Sequence, residues 1–221
     1  MMTNDMEHIR SKGASVIVAL LSLLLILIVS GGCGSDQSDR SSGTDRADRD
    51  PQNAATQEFW TRLHEHCGQA FEGRLNTAAP GYDMLDGSER LIVHFRECSD
   101  FETRLPFHIE EEPDSWDRSR TWVFFNHGAD GLELRHDHRH QDGSEEENTW
   151  YGGDAIEGGE YWQRFVYLPR TEEMGMFMGW RVEIHPGERY TYGTMRDDEW
   201  TFRVDFDLGN PVAPPPPPWG F

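Results

Sequence analysis

Three histidines alternate with other residues in the segment 131–143, GLELRHDHRHQDG. Successive side chains of a β-strand point to opposite faces, so His136, His138 and His140 share one face, which begins with two leucines. If the leucines face the interior of the fold, the imidazoles line the same inner wall, with neighbours about 6.6 Å apart. The segment therefore has the spacing of a ligand-binding strand.

A divalent metal is the first chemistry that this spacing indicates. Two imidazoles separated by one residue converge on one ion, and Zn, Cu, Ni or Fe accepts the pair when a third ligand comes from elsewhere. The candidates for that third ligand are Asp142, Glu145, His94, His108 and His127. Two alternatives remain open: a polar organic ligand bound without a metal, and a structural role in a hydrogen-bond network or a solvated rim.

Arg120 is a second candidate for ligand binding, because it opens a predicted strand, RTWVFFN (120–126). An inward guanidinium would neutralise the carboxylate of a ligand, whereas an ion pair with a neighbouring acidic residue is the alternative. The sequence contains no G-x-S-x-G, P-loop, dinucleotide or H-E-x-x-H motif. A non-enzymatic binding protein is therefore favoured over an enzyme.

The sequence around these residues predicts a series of short strands connected by tight turns. Ten segments between residues 70 and 208 combine β-branched or aromatic residues with short alternation, and tight turns such as GADG (128–131) and HPGE (185–188) divide them. Apolar residues at helical spacing precede them, from Thr56 to Cys67. We expect an all-β, antiparallel barrel of about ten strands with a short N-terminal capping helix; a β-sandwich or cupin-like fold is the alternative.

Four parts of the chain follow from composition: a signal peptide (1–32), a tether (33–53), a β-barrel domain (54–209) and a proline-rich strap (210–221). The tether has no large apolar residue and is rich in Ser, Asp, Arg and Gly. The strap contains PPPPP and cannot continue a sheet, because proline lacks the N–H donor. We expect Trp219 and Phe221 to fold back over the barrel.

Cys33 lies where a bacterial lipoprotein is cut and acylated. A basic start and an apolar run from Val16 to Val29 precede SGGC, and the chain turns polar directly afterwards. This pattern resembles a lipoprotein signal and predicts a lipid anchor in the cell envelope, facing the periplasm or the cell exterior. An uncleaved span and a plain secretory signal are the alternatives.

The remaining cysteines and the charge agree with that location. Cys67 and Cys98 form an even pair without CxxC spacing, which predicts a disulfide in an oxidising compartment; free thiols or a redox pair are the alternatives. The formal charge is −20, which argues against nucleic acid as a partner and against attraction to anionic lipid.

Several strings together resemble a family of uncharacterised secreted or lipid-anchored bacterial proteins. They are CGQAFEG (67–73), SRTW (119–122), HDHRHQDG (136–143), YGG (151–153) and PPPWG (216–220). The resemblance implies no activity. The barrel with its capping helix is similar to lipocalins and other calycins by fold analogy alone, and the HxH string has a faint likeness to the first cupin motif.

We therefore expect an extracytoplasmic lipoprotein whose barrel binds a small ligand or a metal. A cupin-like metal-dependent enzyme and a purely structural envelope protein are the alternatives.

Replacing Cys33 with serine tests the anchor. We expect Cys33→Ser to move the protein from the detergent phase to the aqueous phase and to remove the acyl mass, because acyl chains supply most of the membrane affinity. Cys67→Ser should keep the acyl mass. Unchanged partitioning and mass in Cys33→Ser would contradict the acylation.

Overall fold

The computed structural model describes residues 51–82 and 84–221. Cys33, the predicted signal peptide and most of the predicted tether lie outside these residues. Among the described residues, no helix is both long and apolar enough to cross a membrane.

The described chain is mostly β-structure. Its helices are α1 (Pro51–His64) and α2 (Leu168–Met174), with a 3-10 turn at Gly128–Asp130. Its strands are β1 (Ala70–Ala78), β2 (Leu91–His94), β3 (Glu97–Cys98), β4 (Glu102–Glu112), β5 (Ser115–Asn126), β6 (Leu132–His138), β7 (Tyr151–Gly159), β8 (Trp162–Val166), β9 (Met178–His185), β10 (Arg189–Arg196) and β11 (Glu199–Val212).

The strands form one closed barrel. Their order is β2-β1-β11-β10-β9-β8-β7-β6-β5-β4-β3, and an additional antiparallel pairing of β2 with β4 closes the sheet. Ten strands therefore make the barrel, while β3 pairs only with β4 and lies outside it. The predicted antiparallel barrel with a short N-terminal helix is confirmed.

The two ends of the barrel differ. The connections after β5, β7 and β9 lie at the end that α1 covers. The side-chain amide of Gln57 forms a hydrogen bond with Asn126 at the end of β5, and that of Gln52 donates one to the carbonyl of Gly158 in the β7–β8 hairpin. Because neighbouring strands are antiparallel, the connections after β1, β4, β6, β8 and β10 lie at the opposite end. We call this end the mouth; its described residues are 79–82, 84–90, 112–115, 139–150, 167–177 and 197–198.

Side chains fill the barrel. Phe107, Trp122 and Tyr192 stack in its interior, with ring centroids 5.0 Å and 4.0 Å apart. Phe59 and Leu63, one helical turn apart on α1, are fully buried in the same core. The α1 end is thus sealed by apolar packing.

Several predicted boundaries were wrong. The helix begins at Pro51, inside the predicted tether, because the first turn of a helix tolerates proline. RLIVHFREC (90–98), one of the ten segments that alternate like a strand, is divided into β2 and β3, and the helix α2 lies between β8 and β9. The strap begins later than expected, since β11 continues to Val212. Pro211 fits there because this part of β11 pairs with β1 alone and has a free edge.

The predicted disulfide is present. Cys67 and Cys98 are bonded, with their α-carbons 6.2 Å apart and a sequence separation of 31. The bond joins the turn after α1 to β3, the strand outside the barrel. It therefore ties the capping helix to the sheet.

Removing this bond should loosen the cap. We expect Cys67→Ser/Cys98→Ser to lower the free energy of unfolding by about 3 kcal/mol, because the bond closes a loop of this length in the unfolded chain. Urea denaturation of the full chain measures the change, and wild type under reducing conditions should match the variant. An unchanged urea midpoint would show that the bond adds no stability.

Candidate functional site

Strand β6 divides the histidine segment between two sides of the barrel wall. His136 and His138 face inward, because they pair in register with Trp122 and Arg120 of β5. Asp137 alternates with them and faces outward. The predicted sharing of one face by His136 and His138 is therefore seen in the register, and the two sides have different chemistry.

His136 is a buried hydrogen-bonding residue. Its Nδ1 lies 3.0 Å from the carbonyl oxygen of Tyr151, which only accepts, so Nδ1 carries the proton. Its Nε2 then accepts from the hydroxyl of Tyr192 at 2.5 Å. Burial lowers the pKa of His136 to about 3. The ring is neutral, and both nitrogens are engaged within the protein.

His138 lies one layer nearer the mouth and is only partly buried. Its Nε2 is 3.1 Å from the hydroxyl of Tyr151, and its Nδ1 is 3.7 Å from a carboxylate oxygen of Glu146. Burial lowers its pKa, and the charge of Arg120 acts in the same direction. His138 thus joins the inner network to the mouth.

His140 and Asp142 do not join this wall. β6 ends at His138, and His140 is exposed in the following turn, where its backbone N–H bonds Ser144. The Asp142 carboxylate is exposed and accepts bonds from the backbone N–H and the hydroxyl of Ser144. Our expectation that His140 extends the inner row was wrong, because the chain leaves the sheet before it.

The predicted metal centre is not assembled. Residues 51–82 and 84–221 contain no group of three or more His, Cys, Asp or Glu side chains that could hold a metal ion. In addition, His136 would have to give up the bond from Tyr192 before its Nε2 lone pair became a ligand. The geometry agrees with the structural alternative for His136.

The outer side of β6 holds a buried ion cluster. The side chain of Asp137 is fully buried, and its carboxylate meets the guanidinium of Arg139 at 2.6 Å and that of Arg104 at 3.4 Å. The ring of Phe221 lies 5.1 Å from the Arg104 guanidinium. The paired charges compensate one another's desolvation beneath the strap.

The proline-rich strap crosses this outer face. The backbone N–H of Trp219 donates to the carbonyl of Arg118, and the Arg118 guanidinium donates to the carbonyl of Pro217 at 2.7 Å. A Cβ on Gly143, which has a φ of +86°, would lie 3.0 Å from the α-carbon of Gly220. The close approach explains the glycine in HDHRHQDG and confirms that the strap folds back over the barrel.

The resemblance strings meet around β5 and β6. SRTW supplies the inward partners of the histidines, HDHRHQDG supplies both sides of β6, and PPPWG covers the outer side. YGG continues the set, since a Cβ on Gly153 would overlap the carbonyl oxygen of Val166. Packing alone accounts for these glycines.

Arg120 stands at the boundary between the filled interior and the mouth. It pairs in register with Phe107 and His138, so it faces inward. Its Nη1 contacts the carboxylate of Asp117 and lies 2.9 Å from the hydroxyl of Ser119. The predicted alternative, an ion pair with a nearby acidic residue, is therefore present.

The charge of Arg120 reaches the phenols of the mouth. Burial raises the pKa of Tyr151 to about 12, and Arg120 acts in the opposite direction. Tyr82 shows the same balance, with its pKa raised by burial and lowered by Arg120. Arg120 thus influences Tyr82, Tyr151 and His138 electrostatically.

An open cavity of about 700 Å³ lies beside Arg120, and we call it the mouth cavity. Its volume is within the range of small-molecule sites. Its walls come from the loop before β2, the β4–β5 hairpin and the start of β5. They are Met84, Ser88, Glu89, Arg90, Ile109, Glu110, Glu111, Glu112, Pro113, Asp117 and Arg120.

Sequence reasoning found Arg120 but missed the other walls of this cavity. Asp117 is three residues before Arg120, a pattern too common to single out. Met84 belongs to a loop that folds over the mouth, where Tyr82 stacks on Phe202 with ring centroids 4.6 Å apart. No local signal marks the position of such a loop.

His108, a candidate third ligand, is instead buried on the outer side of β4. Both ring nitrogens are buried and have no hydrogen-bond partner among the described residues. Burial lowers its pKa to about 3, and the nearby His94 acts in the same direction. The ring is therefore neutral, and its polar atoms destabilise the fold.

Replacing His108 with leucine should stabilise the protein. The unfolded chain binds a proton at His108 below about pH 6.5, whereas the folded chain does so only near pH 3. Protonation of His108 therefore does not change the free energy of unfolding above pH 6.5. Below that pH it lowers the free energy of unfolding by about 1 kcal/mol per pH unit. We expect His108→Leu to raise the free energy of unfolding at pH 7 by about 1–3 kcal/mol and to remove that slope.

Urea denaturation at several pH values between 4 and 8 measures both effects. His140→Leu, at an exposed position, should leave the stability at pH 7 unchanged. A destabilised His108→Leu would show that the imidazole has a partner, such as a bound water.

Comparisons with known protein families, curated proteins and solved structures found no match for this chain.

Proposed function

We propose that this protein binds a small organic ligand in the mouth cavity and does so at the cell envelope, held by a lipid on Cys33. The observation that supports the binding role most is an open cavity of about 700 Å³ that lies directly against the inward Arg120. The apolar side chains of Met84 and Ile109 stand beside charged ones in its wall. Such a mixture is typical of ligand sites.

The filled interior supports this position of the site. Trp122 and Tyr192 occupy the middle of the barrel, and the bonds of His136 complete that layer. A ligand that entered deeper would have to displace stacked rings. The mouth offers space without that cost.

A binding role fits the inner network better than acid–base catalysis. A general base works best when its pKa lies near the working pH. The pKa of Tyr151 is instead raised to about 12, and that of His136 is lowered to about 3. Neither group is suited to exchange protons near pH 7, so we assign both a structural role in the barrel interior.

The envelope location rests on sequence features. The SGGC string at Cys33 and the polar tether support a lipid anchor. A disulfide between Cys67 and Cys98 agrees with an oxidising compartment. The tether would then hold the barrel away from the bilayer.

A variant that fills the cavity tests the binding role. We expect compounds from a metabolite library to show saturation-transfer NMR signals with the full chain. Met84→Trp should weaken each such compound at least tenfold, because the indole occupies the cavity. Met174→Trp, at an exposed position of α2, should leave binding unchanged.

Two results would contradict this function. One is a library without any binder at millimolar concentration. The other is a set of binders whose affinities Met84→Trp leaves unchanged.

A further inference from the structure

The inner wall of the mouth cavity carries a guanidinium with an unused edge. Asp117 and Ser119 engage only Nη1 of Arg120. Within the part of the chain that the structure describes, Nε and Nη2 have no partner, although the side chain is only 26% exposed. This edge matches a second carboxylate in a bidentate pair.

The outer wall of the same cavity carries carboxylates. Glu110, Glu111 and Glu112 follow one another at the mouth end of β4. Glu111 and Glu112 are exposed and form no ion pair with residues 51–82 or 84–221. Their charges are therefore available to a ligand.

Among the other charged wall residues, Arg90 neutralises this side only in part, since it interacts with Glu110 but pairs with a residue outside the wall. Arg90 is committed to Glu72, with its Nε 2.6 Å from the carboxylate. Glu89 adds a further negative charge and accepts bonds from the backbone N–H groups of Asp86 and Gly87. The outer wall is therefore negative, whereas the inner wall presents Arg120.

An apolar stretch separates the two walls. Ile109 lies between the level of Phe107, which pairs with Arg120, and Glu111. Glu111 is four residues beyond Phe107, a rise of about 13 Å along the strand. The side chains of Arg120 and Glu111 are long and shorten the gap between their charged groups. A ligand that contacts both groups is therefore only a few bonds long.

We propose that the ligand of the mouth cavity is a small zwitterion. Its carboxylate binds the open edge of Arg120, its ammonium group lies against Glu111 and Glu112, and its carbon chain contacts Ile109 and Met84. This proposal rests on the proposed binding function and adds the chemical class of the ligand.

The charge pattern disfavours ligands with a single charge. A simple carboxylate would meet Arg120 but would also meet the field of the neighbouring glutamates, in a chain whose formal charge is −20. A simple amine would meet the glutamates but leave Arg120 without a partner. Only a ligand with both groups is complementary at both walls.

Three matched probes test this inference by calorimetric titration of the full chain. They are 5-aminopentanoate, which has both charges, pentanoate, which has only the anion, and pentylamine, which has only the cation. We expect 5-aminopentanoate to bind at least tenfold more tightly than either of the others. Each charged group should contribute to that preference.

Variants assign the two contributions. Glu111→Gln/Glu112→Gln should reduce the preference over pentanoate to less than threefold, and Arg120→Lys, which keeps the charge but loses the bidentate edge, should reduce the preference over pentylamine. Glu65→Gln/Asp130→Asn removes the same charge from exposed positions at the α1 end. It should leave both preferences intact.

Each other outcome would overturn the inference. Equal or tighter binding of pentanoate would show that the glutamates play no part, and equal binding of pentylamine would exclude Arg120. Failure of all three probes, while the library yields binders that Met84→Trp weakens, would exclude a zwitterion but keep the cavity as a binding site. A library without binders would remove the proposed function itself.

Discussion

The closed barrel imposes a requirement on its buried polar groups: a group without a partner in the wall, as the Tyr190 hydroxyl is among the described residues, destabilises the fold. Water does not reach the middle of the barrel, where aromatic rings fill the space. An unpaired imidazole there would cost about 1–3 kcal/mol. His136 meets the requirement through a hydroxyl on one side and a carbonyl on the other. The neighbouring Asp137 meets it on the outer side through two arginines. One strand therefore joins the aromatic core to the strap.

The same requirement explains why the two ends of the barrel differ in packing and charge. Toward α1, the apolar side chains of the helix close the interior of the barrel. Toward the mouth, the paired network ends at His138 and Arg120, and the walls become charged and open. At this end, the open edge of Arg120 and the carboxylates of Glu111 and Glu112 lie where solvent, or a ligand, can reach them. This difference between the two ends supports the mouth cavity as the proposed binding site.

Alternation was enough to predict the barrel and the inward direction of Arg120, His136 and His138. It was not enough to predict what the imidazoles do, because their partners, Tyr151 and Tyr192, lie outside the histidine segment, 15 and 56 residues beyond His136. The end of β6 was misplaced by two residues: Asp142 and Gly143 mark the following turn, but the chain leaves the wall before His140. The cavity depends on the fold of a long loop over the barrel end. Such packing is a property of the whole chain rather than of any motif.

The central claim is that His136 is neutral and hydrogen-bonded within the protein, and that it is not a metal ligand. Long-range ¹⁵N–¹H NMR of the histidine-labelled full chain, with and without ZnCl₂, measures this directly. We predict that His136 carries its proton on Nδ1 at pH 7, stays neutral at pH 5 and shows no change with zinc. A proton on Nε2, or zinc-dependent shifts shared by His136 and His138, would contradict the account and restore the metal centre.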